Sequence, residues 1–520
     1  MRVERTARAR RAATLLIAVS VLAAGCSSAS TPTQTTVTNP QAATPAGAWP
    51  YPNGDLANSR DAAGSTISTA NVASLQQAWT FKLPAAMVTS GPGFGSIAAT
   101  PVVTGGVVYL QDLGSNVYAL DLATGQLKWE YQVSAKIAEG GPNGVAVAGG
   151  VEYGTTMTTV FALNATTGKT IWVDQNLLNS GQGEFGIQPQ VANGRVYLAS
   201  SIGTGPGGGV LMALSAATGK LAWEVNTILP GSDSSTTSTY GAGGAWETPL
   251  VGSDGSVTFG IGNPYQTAAS AIAHPSAQLY SDSEVNLDAA TGQLRWYYQG
   301  VTNDFTDHDM QTSPIAATIG ADAAVIGSGK TGVVYAMNAG TGKLIWKTPV
   351  GAHSISDSYP LEAVEHKLTL AAPYTILPGG LGGLLSNPAL AGNSVYVATV
   401  DLPFTVAKMS YPLGAPDGTG TGEIEALNLT TGKVQWDTKV PAMPLGATTV
   451  SNDLVFTTLY TGVLVALNRS TGAIVYEHKL PTSANAPIAI AGNTILVPAG
   501  GPNLYGPKGG SPQLVAYTVG

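Results

Sequence analysis

Seven segments of this chain repeat nearly the same pattern, and the repetition constrains the fold more than any other feature. Apolar residues alternate with small or polar ones before a Thr-Gly turn, as in a half-buried strand, and Gly supplies the positive φ that such a turn needs. A second strand follows and ends on a large aromatic residue, so each segment predicts a β-hairpin. The segments are VYALDLATGQLKW, VFALNATTGKTIW, LMALSAATGKLAW, EVNLDAATGQLRW, VYAMNAGTGKLIW, IEALNLTTGKVQW and LVALNRSTGAIVY, which end at Trp129, Trp172, Trp223, Trp296, Trp346, Trp436 and Tyr476.

The spacing of these hairpins predicts the blades of a propeller. Repeats of roughly forty to fifty residues with about four strands each must stack on their neighbours to bury a face. An aromatic ring at the same place in every repeat would then dock between adjacent blades. A β-sandwich is the alternative, but sandwiches do not recur this regularly.

The two ends of the chain predict one further blade. The segment VASLQQAWTFKL carries Trp79 in a strand of the right type but lacks a hairpin, and the C-terminal QLVAYTV resembles a strand that stops before its turn. Joining these strands closes the ring and removes the exposed sheet edges. We therefore expect an all-β, eight-bladed β-propeller over residues 49–520.

The first residues predict export and attachment to a membrane. Five arginines precede the apolar run LLIAVSVLAAG, which is too short to span a membrane but suits a signal peptide over residues 1–25. The run ends at Cys26, the only cysteine, in a context that resembles a bacterial lipobox and implies acylation of its sulfur; an incidental cysteine in an ordinary signal is the alternative. Residues 26–48 are rich in Ser, Thr and Pro and predict a flexible tether. We expect a lipid anchor on the extracytoplasmic face of the cell membrane.

Charge and short motifs exclude several classes of function. Without residues 1–25 the formal net charge falls from −8 to about −12, which argues against nucleic acid or anionic lipid as a partner. The segment GSGKTG at 327–332 resembles a phosphate-binding loop, but a strand pattern follows it where a helix would be required. The five histidines lack metal-ligand spacing, and no Cys-x-x-Cys-His for covalent haem occurs.

Several segments resemble the quinoprotein alcohol dehydrogenases. The resemblance runs from about Trp49 to the C-terminus and includes WPYPNGDLANSR, ISTANVASLQQAW and the hairpins that end in Trp. It implies an eight-bladed propeller that holds pyrroloquinoline quinone and a calcium or lanthanide ion on its axis. The hairpin motif alone is specific only for the fold, because non-enzymatic lipoprotein propellers of the outer-membrane assembly type share it.

The same resemblance implies a set of site residues. Asn263 in GIGNP would give its side-chain oxygen to the metal, and Asp307 in NDFTDHDM would be the catalytic carboxylate and a metal ligand. Asp309 would be the extra metal ligand of the lanthanide-type members, and Lys330 would bond the quinone oxygens. Trp246, which no docking position claims, would stack under the planar cofactor. Hard cations prefer such oxygen ligands.

Alternatives remain open for these residues. The Asp-rich segment could be a turn that caps strands through side-chain to backbone bonds, and Trp246 could pack on a neighbouring blade. The chain also departs from the family pattern: Thr204 and Ala98 stand where the family has glutamates, and Asn143 stands where it has an arginine.

Two functions follow from the sequence. The first is a surface-anchored dehydrogenase that oxidises a small alcohol, sugar or polyol and passes electrons to a separate acceptor, with Asp307 removing the substrate proton. The second is a non-catalytic propeller lipoprotein that presents its loops to an envelope protein or polymer.

Overall fold

The predicted hairpins form the two outer strands of antiparallel sheets, and these sheets are the blades of an eight-bladed β-propeller; seven have four strands and the third has five. The computed structural model describes residues 47–83, 95–133, 135, 141–201, 203–204, 207–229, 242–275, 278–366, 372–408, 415–501 and 510–519. The predicted fold class is confirmed.

The last blade joins the two ends of the chain, as the sequence predicts. Its outermost strand is β1 (Gln76–Lys82), which follows a short 3-10 turn at Val72–Ser74. This strand pairs with the final strand of the chain, Trp79 lying opposite Ala516. The ring is therefore closed by hydrogen bonds between strands from the two ends of the chain.

The other strands follow in chain order, from the innermost to the outermost strand of each blade. The first four blades contain β2 (Val102–Thr104), β3 (Val107–Gln111), β4 (Val117–Asp121) and β5 (Leu127–Tyr131); β6 (Ala146–Ala148), β7 (Val151–Thr155), β8 (Val160–Asn164) and β9 (Thr170–Asp174); β10 (Glu184–Phe185), β11 (Gln190–Ala192), β12 (Arg195–Ser201), β13 (Val210–Ser215) and β14 (Leu221–Asn226); and β15 (Leu250–Val251), β16 (Ser256–Ile261), β17 (Ser283–Asp288) and β18 (Leu294–Gln299).

The remaining blades contain β19 (Ile315–Ile319), β20 (Asp322–Ser328), β21 (Val333–Asn338) and β22 (Leu344–Pro349); β24 (Ala389–Ala391), β25 (Ser394–Asp401), β28 (Thr421–Asn428) and β29 (Val434–Val440); β30 (Thr449–Ser451), β31 (Leu454–Leu459), β32 (Val463–Asn468) and β33 (Ile474–Lys479); and β34 (Ala489–Ala491), β35 (Thr494–Ala499) and β36 (Gln513–Thr518) with β1.

The tryptophans dock between blades in a uniform way. The Trp129 indole nitrogen donates to the carbonyl of Ala165 in the next blade at 2.9 Å. Its ring lies against the turn glycine Gly168, where a Cβ would come within 2.6 Å of the indole. Six further tryptophans make the same pair of contacts: Trp79, Trp172, Trp223, Trp296, Trp346 and Trp436. The Thr-Gly turn therefore needs glycine both for its positive φ and because the neighbouring indole fills the space of a side chain.

The segment from Trp49 to Ala62 bonds to blades that lie far apart in the sequence. The backbone of Trp49 pairs with Val103 of the first blade, and Arg60 is fully buried. The Arg60 guanidinium donates to the carbonyls of Thr448 and Ile488, in the seventh and eighth blades. A buried arginine needs such acceptors because unpaired burial of its charge is costly.

Two insertions form additional structure beside the fifth blade. One carries helix α1 (Ala268–Ala273), and the other carries helix α2 (Tyr359–Glu365). The two helices share an apolar cluster with the buried Phe305. A small sheet of β23 (Tyr374–Ile376), β26 (Phe404–Val406) and β27 (Ala415–Pro416) adjoins the sixth blade. Within the described ranges, neither helix has the length and apolar character needed to cross a membrane.

Candidate active site

The site lies on one face of the ring, where two kinds of loop meet. In an antiparallel blade, the segment that leads into the innermost strand and the turn between the second and third strands end at the same edge. Backbone bonds join the two kinds of loop within each blade: Gly262 donates to Gly244 at 2.7 Å in the fourth blade, and Lys330 donates to Asp309 at 2.9 Å in the fifth. Residues far apart in sequence are thereby brought together.

Four of the predicted site residues form one buried cluster. The Lys330 ammonium lies 3.1 Å from Asp307 Oδ1 and 2.6 Å from Asp309 Oδ2. The Asn263 backbone N–H donates to Asp309 Oδ1 at 2.6 Å, and the Asn263 side-chain amide donates to Asp307. Side-chain exposure is 8% for Lys330, 12% for Asp307 and 1% for Asp309. The arrangement is a cation held between two carboxylates with little access to water.

Burial and neighbouring charges shift the proton affinities of this cluster. Burial raises the pKa of Asp307 to about 7, although the Lys330 charge opposes this rise. Burial disfavours the charge on Lys330, but Asp307 and Asp309 together raise its pKa well above the ordinary value. Asp307 is therefore poised to exchange a proton near neutral pH, while Lys330 stays positive.

The Asp-rich segment around Asp307 both caps a turn and contributes carboxylates to the cluster, the two roles that the sequence left open. Asp304 caps its own turn, since it accepts from the backbone N–H groups of Thr306 and His308 at 2.7 and 2.9 Å. Asp307 and Asp309 instead point to Asn263 and Lys330. The turn interpretation therefore applies to Asp304, and the other two carboxylates belong to the cluster.

A glycine-rich segment covers Asp307. A Cβ on Gly380 would lie 2.3 Å from Asp307 Oδ2, so only glycine allows this approach without a shift. The His308 ring anchors the same segment, because its Nε2 donates to the carbonyl of Pro378 at 2.9 Å. Burial lowers the pKa of His308, which keeps the ring neutral. Contact between this segment and Asp307 was not predicted, because it depends on an insertion folding back onto the fifth blade.

Two further residues near the cluster also escaped prediction. Tyr265 donates its backbone N–H to Asn263 Oδ1 at 2.8 Å, and burial together with Asp307 and Asp309 raises its pKa well above the ordinary value. Asp282 is fully buried and lies beside the loop of Asn263, since its backbone N–H donates to Gly262 at 3.0 Å. Both residues stand on the loop between β16 and β17, but outside the GIGNP segment on which the prediction of Asn263 was based.

Trp246 is half-buried and lies on the loop whose Gly244 bonds Gly262. It is not one of the docking tryptophans. The next residue, Glu247, accepts from the Asn387 side chain at 2.9 Å, and burial raises the pKa of Glu247 to about 7. The structure therefore places Trp246 on a loop that is bonded to the loop of Asn263.

The three residues that differ from the family pattern differ from one another in burial. Asn143 is fully buried, and neither polar atom of its side-chain amide has a hydrogen-bond partner within the described ranges. Ala98 is partly exposed and Thr204 is exposed. Thr204 thus adds no ligand to the buried cluster.

A second acidic group lies away from these residues, on the third and fourth strands of the sixth blade. Oxygens of Glu423, Glu425 and Asp437 lie within 4.8 Å of one another. Lys439 already pairs with Glu423 and Asp437, and Glu425 accepts from the backbone of Gly351. This group is compensated by the chain itself.

The described residues begin at Gly47, so Cys26, the signal peptide and most of the tether lie outside them. The interpretation of GSGKTG is confirmed, because this segment joins β20 to β21 and no helix follows it.

Comparison with known proteins defines the family. The pattern described as the β-propeller domain of glucose, ethanol and alcohol dehydrogenases matches residues 49–157 and 179–358. This chain belongs to that family. A second pattern, described as the outer membrane protein assembly factor BamB, matches residues 420–513.

Relatives and solved structures of this dehydrogenase family resemble the chain over most of its length. A putative dehydrogenase XoxF from Paracoccus denitrificans is 26% identical over 498 residues, covering 80% of each protein. A quinohemoprotein alcohol dehydrogenase from Comamonas testosteroni is 28% identical over 335 residues, which span 57% of this chain and 46% of that relative. A crystal structure of a quinohemoprotein alcohol dehydrogenase from the same organism has a TM-score of 0.77 at 21% identity, over 91% of this chain and 80% of the other. A europium-containing methanol dehydrogenase has a TM-score of 0.76 at 20% identity, over 91% and 98%.

The resemblance inferred from sequence is therefore confirmed, and the chain belongs to a family whose relatives are quinoprotein dehydrogenases. The two structural likenesses, at this level of identity, support the fold alone.

Proposed function

We propose that the protein is a quinoprotein dehydrogenase that oxidises a small alcohol, sugar or polyol, using pyrroloquinoline quinone and a bound calcium or lanthanide ion. The observation that carries the proposal is the cluster of Asp307, Asp309, Asn263 and Lys330, in which a buried carboxylate has a pKa of about 7. Family membership supplies the class of chemistry, and this cluster supplies residues suited to it.

The donor set fits a hard cation. The carboxylates of Asp307 and Asp309 converge on Lys330, and hard cations such as calcium prefer oxygen ligands of this kind. A single ammonium group, Lys330, faces both carboxylates, so negative charge is in excess inside a dry site. An added cation would relieve that excess.

The surroundings also fit a planar polar cofactor. Trp246 is half-buried on a loop bonded to that of Asn263 and has no docking role, so its ring could support a flat molecule. The buried side-chain amide of Asn143 has no hydrogen-bond partner among the described residues, so a polar group of a bound cofactor could satisfy it. Lys330 offers a positive charge for quinone oxygens.

The residues of the chain divide the remaining work. When bound, the quinone and its ion would supply the redox chemistry, with the quinone as acceptor of the hydride that leaves the substrate carbon. Ionised Asp307 takes the hydroxyl proton of the alcohol, for which a pKa near the working pH is suited. Lys330 holds Asp307 in place, and the segment of Gly380 limits the access of water to it.

We propose that Cys26 bears the lipid that holds the propeller on the extracytoplasmic face of the membrane, and that a separate carrier takes up the electrons. The lipobox and the tether support the first point, and membership of an oxidoreductase family, whose chemistry needs an electron acceptor, supports the second.

Reconstitution tests the enzymatic proposal. The purified protein, supplied with the quinone and calcium or lanthanum, should reduce a redox dye when an alcohol is added. Asp307→Asn should abolish this reduction, whereas Asp357→Asn, which alters a carboxylate paired with Lys347 on the fifth blade, should retain it. Activity should fall as the pH drops through the pKa of Asp307, because the protonated acid cannot accept a proton.

The alternative is a non-catalytic envelope scaffold, which the BamB match over residues 420–513 favours. An intact protein that binds no quinone at tens of micromolar, roughly −6 kcal/mol, with either ion would leave the scaffold as the function.

A further inference from the structure

Asp282 is a buried carboxylate without compensation at the edge of the cluster. Its exposure is zero, and neither of its oxygens has a hydrogen-bond partner within the described ranges. Burial raises the pKa of Asp282 well above its ordinary value, and the negative charges of Asp304 and Asp309 raise it further, while the nearby Ser281 hydroxyl lowers it. An isolated buried carboxylate is costly when ionised, so a residue of this kind needs either a proton or a cation.

The other three carboxylates of the region differ from Asp282 because each has partners. Asp304 accepts from backbone groups in its own turn, and Asp307 and Asp309 share Lys330. With all four ionised, Lys330 leaves three negative charges unmatched. His308 does not change this balance, since burial keeps its ring neutral.

We propose that Asp282 is an outer carboxylate of the cation site and matches the site to a trivalent rather than a divalent ion. This inference rests on the proposed function, since it concerns the ion that function requires. Asp282 acts through its charge: its oxygens do not join those of Asp307 and Asp309 within the 4.8 Å that would mark a compact ligand group among the described residues. Its negative charge would replace that of the family's glutamate, which is Thr204 in this chain.

Coulomb's law gives the size of the expected effect. The interaction of one fixed carboxylate with an ion scales with the ion's charge. Removing the Asp282 charge should therefore lower the logarithm of the binding constant of both ions. The decrease for lanthanum should be about 1.5 times the decrease for calcium.

Titration calorimetry of the full chain, freed of ions by a chelator, tests this with lanthanum and calcium alone. The wild type should bind lanthanum more tightly than calcium. Asp282→Asn should weaken lanthanum binding at least tenfold and reduce the ratio of lanthanum affinity to calcium affinity. Asp282→Ser serves as a second variant should the first fold poorly. Glu284→Gln is the matched control, because Glu284 is also fully buried and unpartnered on the adjoining strand, but burial alone raises its pKa.

The outcomes separate this inference from the proposed function. If the wild type binds lanthanum and Asp282→Asn binds both ions unchanged, Asp282 has no part in ion selection, while the enzymatic proposal stands. Equal losses for Asp282→Asn and Glu284→Gln would also overturn the inference. Binding of neither ion by the wild type would overturn both.

Discussion

Replacing Lys330 by Met tests the electrostatic description of the cluster most directly. The substitution keeps the length and apolar stem of the side chain but removes the charge that lies 3.1 Å from Asp307 and 2.6 Å from Asp309. Removing one partner of a buried ion pair typically costs about 3–5 kcal/mol, because the remaining charge is left uncompensated. We expect a loss of unfolding free energy in this range at alkaline pH.

The loss should depend on pH in a defined direction. The pKa of Asp307 is about 7 in the folded protein, which is above the pKa of a carboxyl group in the unfolded chain. Ionisation of Asp307 therefore lowers the unfolding free energy as the pH rises from about 4 to 7, and it causes no further change above pH 7. Without Lys330 the folded pKa should rise further, and stability should keep falling above pH 7 by about 1.4 kcal/mol per unit. The difference between variant and wild type should thus be about 2 kcal/mol larger at pH 8.5 than at pH 5.5.

Denaturant unfolding of the ion-free protein at these two pH values measures the difference. Lys347→Met is the control, because Lys347 forms an ion pair of 2.7 Å with Asp357 but is 45% exposed, and such surface pairs are worth about 0–1 kcal/mol. Excess calcium should restore part of the stability of Lys330→Met. An equal loss at both pH values would refute the charge argument and show that Lys330 contributes by packing.

Two further predictions concern the fold and the anchor. Trp129→Ala should lower the unfolding free energy by roughly 3–5 kcal/mol, because it empties a space between blades, and Trp246→Ala should cost much less; equal losses in thermal melts would make Trp246 a packing residue. Cys26→Ser should release the protein from the membrane fraction, and identical soluble behaviour of wild type and variant would contradict the lipid anchor.

The blade architecture was predictable because residues close together in the sequence determine it. Each hairpin carries its strands, its turn and its docking aromatic within thirteen residues, and the contact of Trp129 with Gly168 repeats from blade to blade. The closing blade was predictable for the same reason, since Trp79 marks its outer strand.

The candidate site was predictable only in part. Asn263, Asp307, Asp309 and Lys330 could be named from short segments that resemble a family, but the segments do not say that one ammonium group lies between two carboxylates. The contact between Gly380 and Asp307 spans an insertion, and no local pattern encodes it.

The sequence by itself determined the repeat, the number of blades and the chemical types available at the axis. Tertiary structure decided which of those groups are buried together, and hence their charge state. Asp282 shows the difference: in the sequence it is an ordinary polar residue before a strand, whereas in the folded chain it has no access to water and faces the charges of Asp304 and Asp309. Proton affinity depends on desolvation and on charges brought close by folding, and neither can be read from spacing along the chain.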